Sequence, residues 1–289
     1  MFNKLVIRLA NWGLRRFPSY FRPLKDILKL ADIKTLFEVY IGRMILFSIL
    51  TFLSVFLSVS IMLSLVFHLP IWISLPTAFI LSTIGGLLIL IFFHSYPYQL
   101  LSSKKTNIEN NLPFALNHMS AIAAAGVPPT TIFKLLADVK EYGEIAKEAK
   151  SIVRNIETFG MDMISAIKQV ADRSPSRSFK EFLYSMISII ETGGDLKRFL
   201  KSVTQEALFE YRLRREKYLS TLATYADFYT AVLIAAPLFF IAILSVMSMI
   251  GGTIMNLPII EIMKLGIRVF IPLLNTAFIA FIHFTQPSV

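Results

Sequence analysis

The residue types that perform chemistry are few in this sequence and widely scattered. The four histidines are His68, His94, His118 and His283, and none belongs to a His-Glu-x-x-His zinc motif. There is no cysteine, which excludes disulfides and thiolate metal sites, and no glycine-rich phosphate loop. No histidine has both a serine and a carboxylate nearby in sequence, as a hydrolase triad would suggest. The sequence therefore predicts no enzyme, metal or cofactor; a membrane enzyme that uses His94 or His118 is one alternative.

The charged residues are distributed so unevenly that they define the architecture. The chain has 289 residues, of which 55% are hydrophobic and 17% charged. Three segments contain no Asp, Glu, Lys or Arg at all: Met44–Ser103, Phe228–Ile260 and Val269–Val289. A helix needs about 20 apolar residues to cross a bilayer, so the first segment is long enough for two spans and the others for one each. We predict four spans, at about 44–67, 71–93, 228–250 and 265–284.

A transporter or channel subunit is the second alternative for such a chain. Transporters mark their pathway with ionisable residues inside the spans. Of Asp, Glu, Lys and Arg, the spans contain only Arg268, near one end, and the nearest other candidates for a pathway are Asn275 and Pro272 in the fourth span.

The basic residues predict the orientation in the membrane. The net charge is +10, and residues 1–43 alone hold nine Lys or Arg against three Asp or Glu. This excess beside the membrane, together with the excess in residues 94–227, follows the positive-inside rule and needs no nucleic acid to explain it. We expect both termini in the cytosol, with cytosolic N-terminal helices (1–43), a membrane hairpin (44–93), a cytosolic helical domain (94–227) and a C-terminal pair of spans (228–289).

The N-terminal segment has the pattern of amphipathic helices. Apolar and basic residues fall on separate faces over residues 2–16, Pro18 and Pro23 are expected to break this helix, and a second one is predicted from about Leu24 to Tyr40. The first helix is expected either to lie at the membrane interface, with its cations toward the headgroups, or to pack on the protein itself. No signal peptide is indicated, so the first span is expected to be an uncleaved anchor.

Residues 94–227 contain helical patterns separated by glycine and proline. Asn111 with Pro113 is expected to begin one helix. Gly126 and the pair Gly193-Gly194 are expected to end two others, in the left-handed conformation that glycine adopts readily.

A long helix is predicted to follow that glycine pair. Asp195 is expected to cap its first turn, and no helix breaker occurs before Pro237. The helix should therefore enter the third span as one continuous rod.

Two short motifs resemble a known family. The run Leu112-Pro113-Phe114-Ala115-Leu116, followed by Gly126-Val127-Pro128, is similar to the start of a type II secretion F domain. The segment Ile190-Glu191-Thr192-Gly193-Gly194-Asp195-Leu196 resembles its end. The resemblance covers about residues 95–250, and the order of two spans, F domain and two spans is similar to the membrane platform proteins of type IV pili, Tad pili and archaeal filaments.

The resemblance implies an all-α polytopic protein with one cytosolic F domain and a role that is not enzymatic. Platform proteins of this family couple a hexameric cytosolic ATPase to the extraction of pilin-like subunits from the membrane. Many larger members carry two F domains, whereas this sequence has one. We therefore expect it to pair with itself or with a second F-domain protein.

The candidate partner-binding residues are charged. The densest basic cluster precedes the third span, and it either anchors the chain by the positive-inside rule or docks on an acidic face of the ATPase; its members are Arg212, Arg214, Arg215 and Lys217. Lys104 and Lys105 are expected to extend this surface. Glu191 lies at a predicted helix C-terminus, where the helix dipole disfavours an anion, and either pairs with a cation or partner or is simply exposed.

Overall fold

A computed structural model describes residues 2–33, 35–65, 70–251, 253–254 and 257–285. The sequence also predicts a turn at His68-Leu69 between the first two spans and a loop at Asn256 before the fourth, and these residues lie outside this part of the chain. The helices are α1 (Phe2–Arg16), α2 (Pro18–Leu30), α3 (Phe37–Leu65), α4 (Ile71–Ala124), α5 (Pro129–Asp138), α6 (Glu144–Glu157), α7 (Met163–Arg173), α8 (Arg177–Glu191), α9 (Leu196–Phe228), α10 (Ala236–Ile250), α11 (Ile259–Leu265) and α12 (Ile271–Thr285). Lys140–Tyr142 forms a short 3₁₀ turn, and Tyr229–Ala235 and Gly266–Phe270 form π-helices.

The predicted all-α class is confirmed. Over the described ranges, the only β-strands are the two-residue antiparallel pair β1 (Thr253–Ile254) and β2 (Leu257–Pro258), in which Thr253 is opposite Pro258 and Ile254 is opposite Leu257. A pair this short closes a turn between two helices and builds no sheet core.

Four helical stretches are long and apolar enough to cross a membrane, as predicted. They are Phe37–Ser64, Trp72–Ala124, Leu196–Ile250 and Ile259–His283. Many large apolar side chains on these helices are exposed, which would be unfavourable in water. On α3 and α4 they include Leu53, Leu57, Ile61, Ile80, Leu88 and Ile91. Exposed surface of this kind is compatible with lipid, so the chain is a multi-pass membrane protein.

The two helices of the membrane hairpin, α3 and α4, pack against each other at Gly86. A Cβ atom added at Gly86 would lie 3.5 Å from both the Cβ of Phe52 and the carbonyl oxygen of Ser48. The Ser48 hydroxyl donates a hydrogen bond of 2.9 Å to the Gly86 carbonyl. Small residues and hydroxyl bonds of this kind hold membrane helices together where the hydrophobic effect does not.

Helix α4 continues through Pro97 because a side chain replaces the missing backbone donor. Proline has no N–H, so the carbonyl of Phe93, four residues earlier, loses its helical partner. The hydroxyl of Tyr40, on α3, donates to that carbonyl at 2.8 Å. Tyr40 and Phe93 also contact through their rings, at 6.2 Å between centroids. The bond both preserves α4 and fixes α3 against it.

The prediction that Asn111 and Pro113 begin a helix is wrong. Pro113 lies inside α4, which runs without a break from the second span to Ala124. Asn111 does not cap a helix; its side-chain amide donates to the carbonyl of Asn107, one turn earlier, at 2.9 Å. Buried apolar residues follow Pro113 on the same face, and their packing outweighs the single lost backbone bond.

The N-terminal helices also differ from the sequence prediction. Pro18 occupies the first turn of α2, where no N–H is needed, and Pro23 lies within α2 without breaking it. The predicted helix from Leu24 to Tyr40 is wrong, because α2 ends at Leu30 and Asp32 has a positive φ of 55°. Tyr40 instead belongs to the first turns of α3.

Of the two positions expected for α1, the structure shows it packed on the protein. Val6 and Ala10 are buried against α3, and Ala10 joins a cluster with Ile41, Met44 and Ile45. This packing holds the helix beside the start of the first span.

A helical bundle is formed by the end of α4, by α5 to α8 and by the first turns of α9. Its largest fully buried side chains include Ile108, Leu116, Met119, Ile132, Phe133, Leu136, Ile145, Ile152 and Ile167. Gly126 and Gly193 have φ values of 74° and 67°, so both helix ends adopt the predicted left-handed conformation. The Asp195 carboxylate accepts from the backbone N–H of Arg198 at 3.0 Å, which confirms the predicted cap of α9.

Residues 205–289 form a second compact unit. Here the predicted continuity holds: the helix from Leu196 runs through α9, the π-helix and α10 to Ile250. A proline lies two residues after the end of each π-helix, Pro237 after the first and Pro272 after the second. A π-turn widens the helix and gives the proline ring room beside the preceding carbonyls.

The contact between α1 and α3 generates a first prediction. A Cβ atom at Gly42 would overlap the carbonyl oxygen of Val6 and lie 2.5 Å from its Cγ1 atom. Gly42→Ala should lower the free energy of unfolding by about 1–3 kcal/mol, because backbone atoms cannot move aside as a side chain does. Thermal unfolding of the purified protein in detergent measures this.

The matched control for this prediction is Gly85→Ala in α4. A Cβ atom there would meet its nearest neighbour, Val55, at an ordinary 3.6 Å. Alanine also has the higher helix propensity, so this variant should match or exceed the wild-type melting temperature. Equal melting temperatures for both variants would contradict the close approach at Gly42.

Candidate functional site

Two histidines among the described residues, His94 and His118, lie against aromatic rings. Within the described residues, no three His, Asp or Glu side chains are placed to hold a metal ion. His118 is half-buried beside the ring of Tyr142, 5.8 Å away, and its Nδ1 atom has no hydrogen-bond partner. His94 stacks on Tyr20 at 4.6 Å. These two histidines therefore pack against aromatic rings, with no carboxylate positioned to make either a general base.

The most concentrated charge in the bundle is a buried ion network around Glu148. This carboxylate, on α6, contacts the Lys104 ammonium of α4 at 2.8 Å and the Arg173 guanidinium of α7 at 2.9 Å. The Glu148 and Lys104 side chains are only 5% and 9% exposed. Arg173 also donates to the hydroxyl of Ser151 at 2.7 Å. Three helices of the bundle are thus joined through one anion.

This network was not predicted, although the sequence contains a signal for it. Glu148 lies between Ile145, Ala149 and Ile152 on the apolar face of α6, where a carboxylate is out of place unless it is paired. The spacing identifies an inward-facing acid but does not identify its partners, which lie 44 and 25 residues away.

The network changes the expected docking surface, because Lys104 is not available to a partner. Its ammonium is paired and buried, so its assignment to the ATPase-binding surface is corrected here. Lys105 is 52% exposed and makes a loose contact of 3.9 Å with Glu109. Glu191 is exposed at the end of α8 and, in the part of the chain that is described, makes no ion pair.

The basic cluster of Arg212, Arg214, Arg215 and Lys217 is exposed on α9. Within it, the Arg215 guanidinium donates to the Tyr211 hydroxyl at 3.3 Å. Along α9, only Leu200 and Thr204 are buried, so the helix beyond the bundle presents nearly its whole surface. The cluster lies in the second compact unit, whereas Lys105 and Glu191 lie in the first.

The polar residue proposed for a transport pathway has a structural role instead. Asn275 of α12 accepts a hydrogen bond from the Tyr229 hydroxyl at 3.0 Å and donates to the carbonyl of Ile271 at 3.0 Å. Its amide is therefore satisfied within the helix pair. Phe278 packs on Phe228 and Tyr229 next to it, which closes the contact with aromatic rings. The pair has the character of an interhelical clamp.

Local hydrogen bonds shift two pKa values on the surface of the bundle. The backbone N–H of Ser165 donates to Asp162 at 2.8 Å and holds the pKa of that carboxyl below its ordinary value, while the carboxylate caps α7. The Tyr184 hydroxyl donates to the Asp172 carboxylate, which raises the pKa of Tyr184. Both interactions join neighbouring turns or helices and have the geometry of structural supports.

Comparison with known proteins identifies the bundle and the helix that leaves it. Residues 115–244 match the family model described as type II secretion system (T2SS), protein F. No solved structure matches the chain.

Several curated archaeal proteins are similar over longer stretches. An uncharacterized protein of Methanocaldococcus jannaschii is 24% identical over 67% of this chain and 33% of its own length. The flagella accessory protein J of the same organism is 25% identical over 58% of this chain and 28% of its own. That of Methanococcus voltae is 25% identical over 50% and 26%, respectively. The chain therefore spans about a quarter to a third of the length of these relatives.

The Glu148 network generates a second prediction. Glu148→Gln should lower the free energy of unfolding of the bundle by about 3–5 kcal/mol, because two cations then remain without their shared anion. Replacing Lys104 by Met in the same variant should recover part of this loss. Denaturant titration in detergent, followed by far-ultraviolet circular dichroism, measures both.

Glu181→Gln is the matched control. Glu181 also forms an ion pair, with Arg177 at 2.7 Å, but the side chains of Glu181 and Arg177 are 62% and 89% exposed. Exposed pairs contribute little to stability, so the control should unfold as the wild type does. Equal effects of the two glutamine variants would show that the Glu148 network is not energetically distinct.

Proposed function

We propose that this chain is the membrane platform of a filament-assembly or secretion machine of the archaellum and type IV pilus class, because its residues 115–244 match the family model of type II secretion system protein F. Proteins of this family are non-catalytic membrane platforms. Two of its relatives are named flagella accessory protein J, which supports the archaellum branch of that class.

The proposed orientation places the F domain and both termini in the cytosol, with the four spans in the cytoplasmic membrane. The N-terminal helices and the bundle lie at the same end of the hairpin, because residues from both line one polar pocket. Ala31 and Asp32 come from the segment after α2, and the bundle contributes Lys104, Asn107 and Glu144. The Lys and Arg excess of residues 1–43 and of the bundle supports the cytosolic assignment through the positive-inside rule.

The observation that carries the mechanism is the uninterrupted helix from Leu196 to Ile250. It begins in the bundle core, at the buried Leu200, and ends in the third span. A helix of this length is about 80 Å long and transmits displacement along its axis, which a flexible linker of the same length does not. We propose that movement imposed on the F domain reaches the membrane through this helix.

The proposed source of that movement is a hexameric cytosolic ATPase, and the proposed cargo is a pilin-like subunit extracted from the bilayer. In this proposal the platform transmits the movement and the ATPase supplies its energy. A second F-domain chain, identical or related, is proposed to complete the platform, as the resemblance to single-domain members implies.

The exposed basic cluster of α9 is the proposed docking surface for the ATPase, with Lys105 and Glu191 as further candidates. The cluster residues, Arg212, Arg214, Arg215 and Lys217, are available to a partner because they are exposed and form no ion pair within the described chain. An acidic face on the ATPase would be steered to them electrostatically.

Helix continuity can be tested by insertions of equal length and different stiffness. Seven residues make about two helical turns, so an insertion after Glu206 nearly preserves the helical phase. Seven glycines should abolish filament assembly because they break the rod, whereas seven alanines should retain most of it. Filaments are counted by electron microscopy in a strain lacking the native gene.

Membrane fractionation provides the control, since both insertion variants should reach the membrane at wild-type levels. If the glycine variant assembles filaments as well as the alanine variant does, transmission along α9 is ruled out. Loss of assembly in both variants would instead show that spacing, rather than stiffness, is what α9 must provide.

Charge reversal tests the docking surface. Arg214→Glu with Arg215→Glu should reduce co-purification of the ATPase with the tagged full-length protein by at least about tenfold, because like charges then face each other. Filament assembly should be lost, while membrane insertion and protease accessibility stay as in the wild type.

Lys197→Glu with Arg198→Glu is the matched control, because both residues are exposed on the same helix near its start. This variant should retain the ATPase. Unchanged ATPase recovery with the Arg214 and Arg215 variant would overturn the docking proposal, and the cluster would then serve as a topological anchor alone.

A further inference from the structure

Helix α1 has two faces, and its packing on α3 uses only one of them. Val6, Ala10 and Gly13 are buried, and Gly13 contacts the side chain of Ile45. The other face presents Arg8, Asn11, Trp12, Arg15 and Arg16, which line a surface depression of about 390 Å³. A depression of this volume is in the range of small-molecule sites. The proposed function does not involve it.

The charge in this depression is not neutralised by the protein. Residues 1–25 contain six Lys or Arg and no Asp or Glu. In the described part of the chain, no ion pair involves Arg8, Arg15 or Arg16. Three guanidinium groups within two helical turns repel one another, which an anion between them would relieve.

The position of α1 along α3 places this face at the membrane surface. The helix crosses α3 at Gly42 and Ile45, on either side of Met44, where the 60-residue uncharged segment begins. Arg43, the last charge before that segment, is exposed at the same level. The apolar part of the bilayer must therefore begin within about one helical turn of the contact between α1 and α3.

Aromatic side chains mark the same level. Trp12, Phe17 and Tyr20 are 61%, 53% and 45% exposed. The Tyr20 ring stacks on His94, whose own ring lies 5.5 Å from that of Tyr98. Exposed aromatic residues beside cations are typical of the boundary between headgroups and acyl chains.

We propose that the Arg8, Arg15 and Arg16 face of α1 binds the headgroup phosphate of an anionic phospholipid from the adjacent leaflet, with Trp12 against the lipid. Guanidinium groups match phosphate oxygens in a bidentate geometry, and the depression lies where such a phosphate is present at high local concentration. The lipid would fix α1 to the bilayer on one side while α3 holds it on the other. The hairpin would thereby gain a rigid collar at the membrane surface.

Tryptophan fluorescence tests this proposal directly. The protein has two tryptophans, and Trp72, at the start of α4, is 89% exposed, so a Trp72→Phe variant leaves Trp12 as the reporter. The full-length variant in neutral detergent micelles is titrated with phosphatidylglycerol or phosphatidylcholine brominated near the headgroup. Quenching of Trp12 should saturate at a phosphatidylglycerol fraction at least about tenfold lower than that needed for phosphatidylcholine.

Three variants in the same background separate charge from structure. Replacing Arg8, Arg15 and Arg16 by Gln should raise the half-saturating phosphatidylglycerol fraction by about two orders of magnitude, since each cation contributes about fivefold. Replacing all three by Lys should largely restore it. The control Lys168→Gln, Lys197→Gln and Arg198→Gln removes the same charge from exposed positions elsewhere and should leave the fraction unchanged.

Far-ultraviolet circular dichroism of each variant establishes that the helices are retained, and the lysine variant keeps the test decisive if the glutamine variant unfolds. Equal quenching by the two lipids, or equal loss with the control substitutions, would overturn the proposal. Displacement of phosphatidylglycerol by an excess of inorganic phosphate would also overturn it, because the site would then select a free anion rather than a lipid. Filament assembly is not part of this test, so its outcome is independent of the proposed function.

Discussion

A backbone carbonyl without a hydrogen-bond partner is costly at the edge of a bilayer, where little water is present to bond with it. The hydroxyl of Tyr40 supplies the partner for the carbonyl of Phe93, at 2.8 Å. Pro97 creates the need, and α3 supplies the donor. Around this bond pack Leu24 and Leu28 of α2, and the adjacent cluster holds α1. The hairpin, its N-terminal helices and the course of α4 toward the bundle meet at this contact.

The same constraint explains the second long helix. In the third span, Pro237 again lacks the backbone N–H that the helix needs. The π-helix before it accommodates the proline without ending the helix. The clamp of Tyr229 and Asn275 then satisfies the polar groups between the last two long helices. Two helices, α4 and the one that starts at Leu196, thus pass between aqueous and apolar surroundings without a hinge. The proposed transmission of movement rests on that property.

The ion network around Glu148 gives the bundle a different kind of rigidity. Apolar packing between α4, α6 and α7 tolerates small displacements, whereas a buried carboxylate shared by Lys104 and Arg173 requires all three helices in register. In the proposed mechanism the bundle receives force from a partner and has to move as one body, which the network favours.

The sequence by itself determined which segments are long and apolar enough to span a membrane, and it located some of the helix ends. Uncharged runs, the glycines at 126 and 193 and the cap at Asp195 act over a few residues, so composition and local conformation suffice to predict them. The resemblance to the F domain could be read from the sequence for the same reason, since its motifs surround these helix ends.

Only the tertiary structure decided what depends on groups distant in sequence. Whether Pro97 breaks α4 depends on a hydroxyl 57 residues away, and whether Lys104 is a docking residue depends on a carboxylate 44 residues away. The side of α1 that meets α3, and so the side left for the membrane, depends on the absence of a side chain at Gly42. Each of these outcomes is a pairwise energy between distant residues, which local sequence patterns do not contain.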